Sequence, residues 1–220
     1  MTRIDSYEDL TENIVRWLKD YYYDNNSVKA FVIGVSGGID SAVVSSLCAR
    51  TGLPTYVVCM PLESKFENSR LSDVHSKALE AKYDNVKRIE VELFSAYDSL
   101  LKSIDWWTEK GEYTSSEHAN ANTKSRIRMV TLYQIAGTVG GIVVGTGNKV
   151  EDYGVGFYTK YGDGGVDIAP IADLYKTEIW ELGEYLEVDQ RIVDADPTDG
   201  LWVDSRSDEE QLGASYKQLE

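Results

Sequence analysis

Apolar and aromatic positions at Tyr7, Leu10, Ile14, Trp17, Leu18 and Tyr21 recur at helical spacing. With Ser6 as a start signal and Glu8-Asp9 in the first turn, they predict a helix over Tyr7–Tyr23. Ala30–Val35 has no polar alternation and predicts a strand buried on both faces of a parallel sheet. A helix over Ser41–Arg50 follows, ended by Gly52, and then a short apolar strand over Thr55–Met60. Ser69–Tyr83 reads as a helix, Val86–Leu93 as a strand and Ser95–Ile104 as a helix. Residues 105–123 break the rhythm and predict a long connection, with Trp106-Trp107 as packing anchors. Ser125–Ala136 is helical, and Gly141 and Gly145 enclose the strand Ile142-Val143-Val144. The last third is polar and acidic, with one helix near Ile179–Tyr185. Strands alternating with helices of these lengths predict an α/β fold, a doubly wound parallel sheet flanked by helices, in a single domain over residues 1–220. In such a sheet, ligands sit beyond the carboxyl ends of the strands.

Charge narrows the partners. With 22 basic against 37 acidic side chains the chain carries a formal −15, which argues against nucleic acid and against an anionic membrane surface. No run approaches eighteen apolar residues, and Met1-Thr2-Arg3-Ile4-Asp5 lacks the apolar core of a signal peptide, so no membrane span or leader is expected. Cys48 and Cys59 lie in apolar stretches and read as buried thiols of a cytoplasmic protein. His75 and His118 fit no motif and read as surface histidines.

The chemistry is carried by Gly34-Val35-Ser36-Gly37-Gly38-Ile39-Asp40-Ser41. A strand runs into a Ser-Gly-Gly turn, and a carboxylate and a hydroxyl open the next helix. Glycines let the backbone approach an anion, N–H groups point at it and the helix N-terminus adds positive dipole. The loop is neither a Walker A motif nor a dinucleotide fingerprint. It resembles the pyrophosphate loop of N-type ATP pyrophosphatases, which split ATP between its α and β phosphates and leave AMP on a substrate oxygen.

Further blocks narrow the resemblance: Asn122-Thr123-Lys124-Ser125-Arg126, Gly145-Thr146-Gly147-Asn148-Lys149-Val150-Glu151-Asp152, Thr159-Lys160-Tyr161-Gly162-Asp163-Gly164-Gly165-Val166-Asp167, Asp173-Leu174-Tyr175-Lys176 and Pro197-Thr198-Asp199-Gly200. From about residue 10 to its end the chain resembles the ammonia-dependent NAD synthetases. That resemblance implies a Rossmann-like fold of the adenine nucleotide α-hydrolase type. It also implies an activity: the carboxylate of deamido-NAD attacks the α-phosphate of ATP, pyrophosphate leaves, and ammonia displaces AMP to give the amide. ATP is needed because a carboxylate is a poor acyl donor until it carries a good leaving group. By resemblance, Gly34 to Ser41, Thr146, Lys176 and Thr198 bind ATP, with Asp40, Lys176 and Thr198 catalytic. Asp40 and Glu151 would hold Mg2+, and Arg126, Lys160 and Asp167 would bind deamido-NAD. The family also implies a homodimer, for which the Tyr7–Tyr23 and Ser125–Ala136 helices offer candidate faces.

Each role has a plainer alternative. Asp40 suits a helix N-terminus, Thr146 could cap the next helix, Lys176 could be solvated, and Thr198 could start a turn. Relative to the family pattern, one extra residue stands between Thr146 and Gly156. Counting from Thr146 selects Glu151 as the second metal carboxylate, and counting from Gly156 selects Asp152. The family's C-terminal basic pair, which touches the dinucleotide, is absent where the sequence stops at Gln218-Leu219-Glu220. This departure bears on substrate affinity more than on chemistry. A cysteine-based glutaminase would need far more chain, so free ammonia is the expected nitrogen donor, unless another polypeptide supplies it. The alternative functions are another adenylating amidase or thiolase of the same class, and an ATP-binding regulatory relative without turnover. A tRNA thiolase would want a basic surface and catalytic cysteines, and neither is present.

Overall fold

The computed structural model of the chain describes residues 4–62, 67–108, 116–198, 200–202 and 206–220. Four parallel strands form its centre: β1 (Phe31–Gly34), β2 (Thr55–Cys59), β3 (Val86–Glu90) and β4 (Ile142–Val143), in the order β3-β2-β1-β4. The register sets Phe31 against Thr55 and against Ile142. The helices are α1 (Tyr7–Asp24), α2 (Ile39–Arg50), α3 (Glu67–Lys82), α4 (Phe94–Thr108), α5 (Glu117–Val139), α6 (Lys176–Tyr185), α7 (Gln190–Val193), α8 (Asp208–Leu212) and α9 (Tyr216–Leu219).

The unalternating apolar run of β1 is explained by two covered faces. Phe31 and Ile33 pack with α1, α2 and α6, while Val32 packs on the other side with Val58, Val143, Leu93 and Tyr97. All three β1 side chains are fully buried. The chain winds from β1 outward to β3, then returns across the sheet to β4 on the opposite flank of β1. The strand order therefore reverses between β1 and β4, and loops leaving these two strands diverge to form a crevice. The Ser36–Gly38 turn and the Gly145–Gly147 turn are the two lips of that crevice.

Local signals explain most element ends. The Ser6 hydroxyl accepts the Asp9 N–H and starts α1, and Gly52 with φ 73° follows the end of α2. Three expectations need correction. The last third, foreseen with one helix near Ile179–Tyr185, carries α6 from Lys176 and then the short helices α7, α8 and α9. The 105–123 connection is much shorter: α4 runs to Thr108, and α5 begins at Glu117 behind a Ser116 cap. Ala119 and Ala121 favour helix there without an apolar stripe to announce it. The strand foreseen over Val86–Leu93 ends at Glu90, opposite Cys59, the last residue of β2. The side chains of Trp106 and Trp107, foreseen as anchors, lie outside the described residues.

Candidate functional site

The Ser-Gly-Gly turn is already folded into a cradle. The Ser36 N–H donates to Ser41 Oγ at 3.2 Å, the Gly38 N–H donates to Ser36 Oγ at 3.2 Å, and Ser41 Oγ donates to the Gly38 carbonyl at 3.0 Å. Gly37 sits at φ 96°, a conformation that a Cβ would oppose. Gly38 is the N-cap of α2 and has no side chain to cap it, which leaves the positive helix end to an anion. The neighbouring β4 turn is capped differently. Asn148 is fully buried, and its Oδ1 accepts the N–H groups of Val150 and Glu151, both at 3.1 Å. The helix-capping alternative for Thr146 is thereby met by Asn148 instead.

Residues 149–155 form a π-helical segment ended by Gly156 at φ 69°. A π turn is how a helix absorbs one added residue without losing its ends, the form expected of an extra residue between Thr146 and Gly156. Its winding separates the two neighbouring carboxylates. Glu151 turns inward to the cradle, where its Oε1 accepts the Lys176 ammonium at 2.9 Å. Asp152 turns instead to the Gly147 lip of the crevice, its carboxylate against Gly147, with its pKa pushed up to about 6 by burial and by Glu151, Asp163 and Asp40.

Three expected residues come together here. Lys176, at the start of α6 and 2 % exposed, donates to Asp40 Oδ2 at 2.5 Å as well as to Glu151. The solvated alternative for Lys176 is excluded. Burial disfavours its charge, yet the two carboxylates outweigh burial and hold its pKa above the ordinary value. Burial also works on the partners. It raises Asp40, while Lys176 and then the Tyr216 hydroxyl hold Glu151 low.

Tyr216, unremarked in the sequence, completes the cluster. It is wholly buried, and its hydroxyl donates to Glu151 Oε1 at 2.6 Å. Its ring lies 4.9 Å from the Lys176 ammonium and edge-on to Trp180. A tyrosine in a polar C-terminal stretch offers no sequence signal, since its partners lie 65 residues upstream of it and in α6.

A second group lies on α5. Arg126 and Lys160 are exposed, and Arg126 Nε donates to the Lys160 carbonyl at 3.1 Å. The glycine-rich loop that carries Lys160 is pinned to α5. Ser125 Oγ donates to Asp163 at 2.6 Å, Thr159 Oγ1 donates to Asn122 at 2.7 Å, and Gly162 lies where a Cβ would meet Ser125 Oγ at 2.2 Å. Asp167 is engaged by the chain itself: one oxygen accepts the Val143 N–H at 2.8 Å and the other the Tyr133 hydroxyl at 3.0 Å. Burial and that bond push the Tyr133 pKa up to about 12. Thr198 stands away from the carboxylates, donating to the Arg206 carbonyl at 3.3 Å and accepting the Gly200 N–H. Asp199 lies outside the described residues. Arg128 is half-buried rather than a free surface arginine, and its Nε reaches the Met60 carbonyl at 3.5 Å. His118 is exposed as expected, but His75 is 5 % exposed and bonded to Ser45 Oγ at 2.9 Å. Its position on α3 faces α2, which the sequence around it does not reveal.

Residues 10–220 match the profile of a family described as NAD synthase. The chain belongs to the NAD synthase family. It is 36 % identical to the NH3-dependent NAD+ synthetase of Carboxydothermus hydrogenoformans, over 98 % of this chain and 84 % of that protein. It is 38 % identical to the enzyme of the same name from Archaeoglobus fulgidus, over 98 % and 82 %. Among solved structures, an NMN synthetase from Francisella tularensis superposes with a TM-score of 0.87 at 33 % identity, covering 98 % of this chain and 85 % of that one. The NH3-dependent NAD synthetase of Campylobacter jejuni gives 0.75 at 28 % identity, covering 86 % and 77 %. This NAD synthase family member thus carries the expected parallel sheet flanked by helices.

Proposed function

We propose that the protein forms NAD from deamido-NAD, ATP and ammonia, as a single domain over residues 1–220. The observation that carries this reading is the Asp40–Lys176–Glu151 cluster beside an uncapped Ser-Gly-Gly helix start, in the crevice between β1 and β4. Asp40 and Glu151 fit magnesium. They are hard oxygen donors that already share one cation, and among the described residues no cluster of three His, Cys, Asp or Glu offers a metal a fuller cage. Magnesium takes one or two protein carboxylates and completes its shell with phosphates and water. Bound there, it would neutralise charge on the departing pyrophosphate.

The chain's own groups supply the rest. The Ser36 to Ser41 loop holds the polyphosphate by N–H and hydroxyl donors. Lys176 has a long stem and a point charge that can pass from the carboxylates to a phosphate oxygen. Thr146, on the opposite lip, borders the nucleotide, and Thr198 reaches it from the C-terminal segment. The deamido-NAD carboxylate attacks the α-phosphorus, and the bond to the bridging oxygen breaks with pyrophosphate leaving. Ammonia then adds to the acyl carbon, loses a proton and expels AMP. Arg126 and Lys160 offer cationic donors to the dinucleotide, and Asp167 orders the loop beneath it.

A homodimer in the cytoplasm completes the reading. Val130 and Tyr133 are exposed on α5 beside Arg126, an apolar face next to the dinucleotide residues. Both cysteines are free and buried, and no described helix is long and apolar enough to cross a membrane.

The test is NAD formation by purified protein with deamido-NAD, ATP, magnesium and ammonium, each omitted in turn, and with glutamine replacing ammonium. NAD that requires ammonium, with AMP and pyrophosphate released, supports the reading. ATP binding without pyrophosphate release refutes it. The overlay on the NMN synthetase favours a second substrate, so nicotinate mononucleotide is tested in competition. A higher kcat/KM for the mononucleotide would move the assignment to that smaller substrate.

A further inference from the structure

Glu151 Oε1 accepts two donors, Lys176 at 2.9 Å and Tyr216 at 2.6 Å. These two donors differ in what frees them. Lys176 ends a flexible stem and has a second destination in ATP. Tyr216 has none. Its ring is wholly buried, packed edge-on to Trp180 with centroids 5.9 Å apart, and its backbone N–H is held by Glu209 at 2.9 Å. The hydroxyl also lies 3.4 Å from Asp208 Oδ2, but a single proton goes to the nearer acceptor. When Lys176 moves to phosphate, the tyrosine remains to hold the carboxylate.

The geometry points to Tyr216 as the positioning residue for Glu151, through which the C-terminal helices α8 and α9 set the metal affinity of the crevice. This inference rests on the reading of Asp40 and Glu151 as the magnesium carboxylates. A buried hydroxyl fixes which oxygen of Glu151 is engaged by protein and so orients the other. Groups that orient a metal's ligands in this way typically change metal affinity by ten- to a hundredfold when removed. The Tyr216 hydroxyl meets the cluster at Glu151 Oε1, so its effect on the metal runs through that carboxylate.

The experiment measures Mn2+ binding by electron paramagnetic resonance, with an α,β-methylene ATP analogue present, for wild type, Tyr216→Phe, Trp180→Phe and Glu151→Gln. Tyr216→Phe keeps the ring and removes only the hydroxyl. It is expected to weaken Mn2+ binding about tenfold and to raise the magnesium needed for half-maximal NAD formation by a similar factor. At saturating magnesium its kcat stays within about twofold of wild type on the same argument. Trp180→Phe loosens the packing that fixes the ring but keeps the hydroxyl, and is expected to weaken Mn2+ binding less than Tyr216→Phe does; an equal or larger loss overturns the role of the hydroxyl. Equal Mn2+ affinity in Tyr216→Phe and wild type, with Glu151→Gln weakened, overturns the positioning role alone. An unchanged Glu151→Gln removes the magnesium reading and the positioning role with it. If Tyr216→Phe does not fold, 3,5-difluorotyrosine at position 216 replaces it. That side chain keeps the shape and strengthens the donor, so an altered Mn2+ affinity supports the role and an unaltered one refutes it.

Discussion

Replacing Lys176 by Met keeps the apolar stem and deletes the ammonium that bridges Asp40 and Glu151. The ammonium is 2 % exposed and lies 2.5 and 2.9 Å from the two carboxylates. Removing one partner of a buried ion pair costs about 3–5 kcal/mol, because the remaining charges stay buried without compensation. For a domain of 150–250 residues, each kcal/mol moves the melting temperature by roughly 2–4 °C, which gives a fall of about 6–20 °C. The same reasoning makes a second, sharper demand. With the ammonium gone, the carboxylates are a vacant cation site, and Mg2+ should stabilise the variant by mass action. In wild type the ammonium competes, and Mg2+ without nucleotide should do little. Thermal melts of both proteins, with and without 10 mM MgCl2 (roughly a saturating concentration for a site of millimolar affinity), decide the matter. A variant that melts within about 2 °C of wild type, or gains no more from Mg2+ than wild type does, refutes the reasoning.

Three other outcomes are expected. Asp40→Asn keeps the circular dichroism of wild type and abolishes pyrophosphate release; retained turnover would remove Asp40 from the chemistry. His75 is held neutral by burial, with its pKa lowered from 6.5 to about 4. The unfolded chain therefore binds the extra proton first: stability is full above about pH 6.5 and falls as pH drops toward 4, by at most about 3 kcal/mol. His75→Gln should flatten that slope in urea titrations across this window, and an unchanged slope would assign it to other groups. Gly141 lies where a Cβ would meet the Ala30 carbonyl at 2.8 Å, so Gly141→Ala must move backbone at the start of β4 and should cost about 1–3 kcal/mol by chemical denaturation.

Much of the site was legible because its chemistry is local. The Ser36–Ser41 cradle needs a strand, two glycines and a helix start in immediate succession, and sequence order alone supplies that. Glu151 against Asp152 was different. Sequence left two counts of one register, and the π turn at 149–155 sends the neighbouring carboxylates to different surroundings. Asp167 was singled out as a dinucleotide residue, and the bonds the structure gives it, from the Val143 N–H and the Tyr133 hydroxyl, depend on a loop returning to the edge of β4. His75 and Tyr216 were illegible because burial is decided by what packs over them, and neither lies on a periodic apolar face.

The sequence by itself determined the parallel sheet, the anion cradle at the end of β1 and the net negative charge. Apolar runs, glycine turns and charge act through the nearest few residues, and those survive without a fold. Only the tertiary structure decided that Lys176 is buried, that it bridges carboxylates 136 and 25 residues away, and that a C-terminal tyrosine clamps one of them. An ion pair between distant segments forms only where packing excludes water and brings opposite charges within reach. The reversal of strand order between β1 and β4 creates that place.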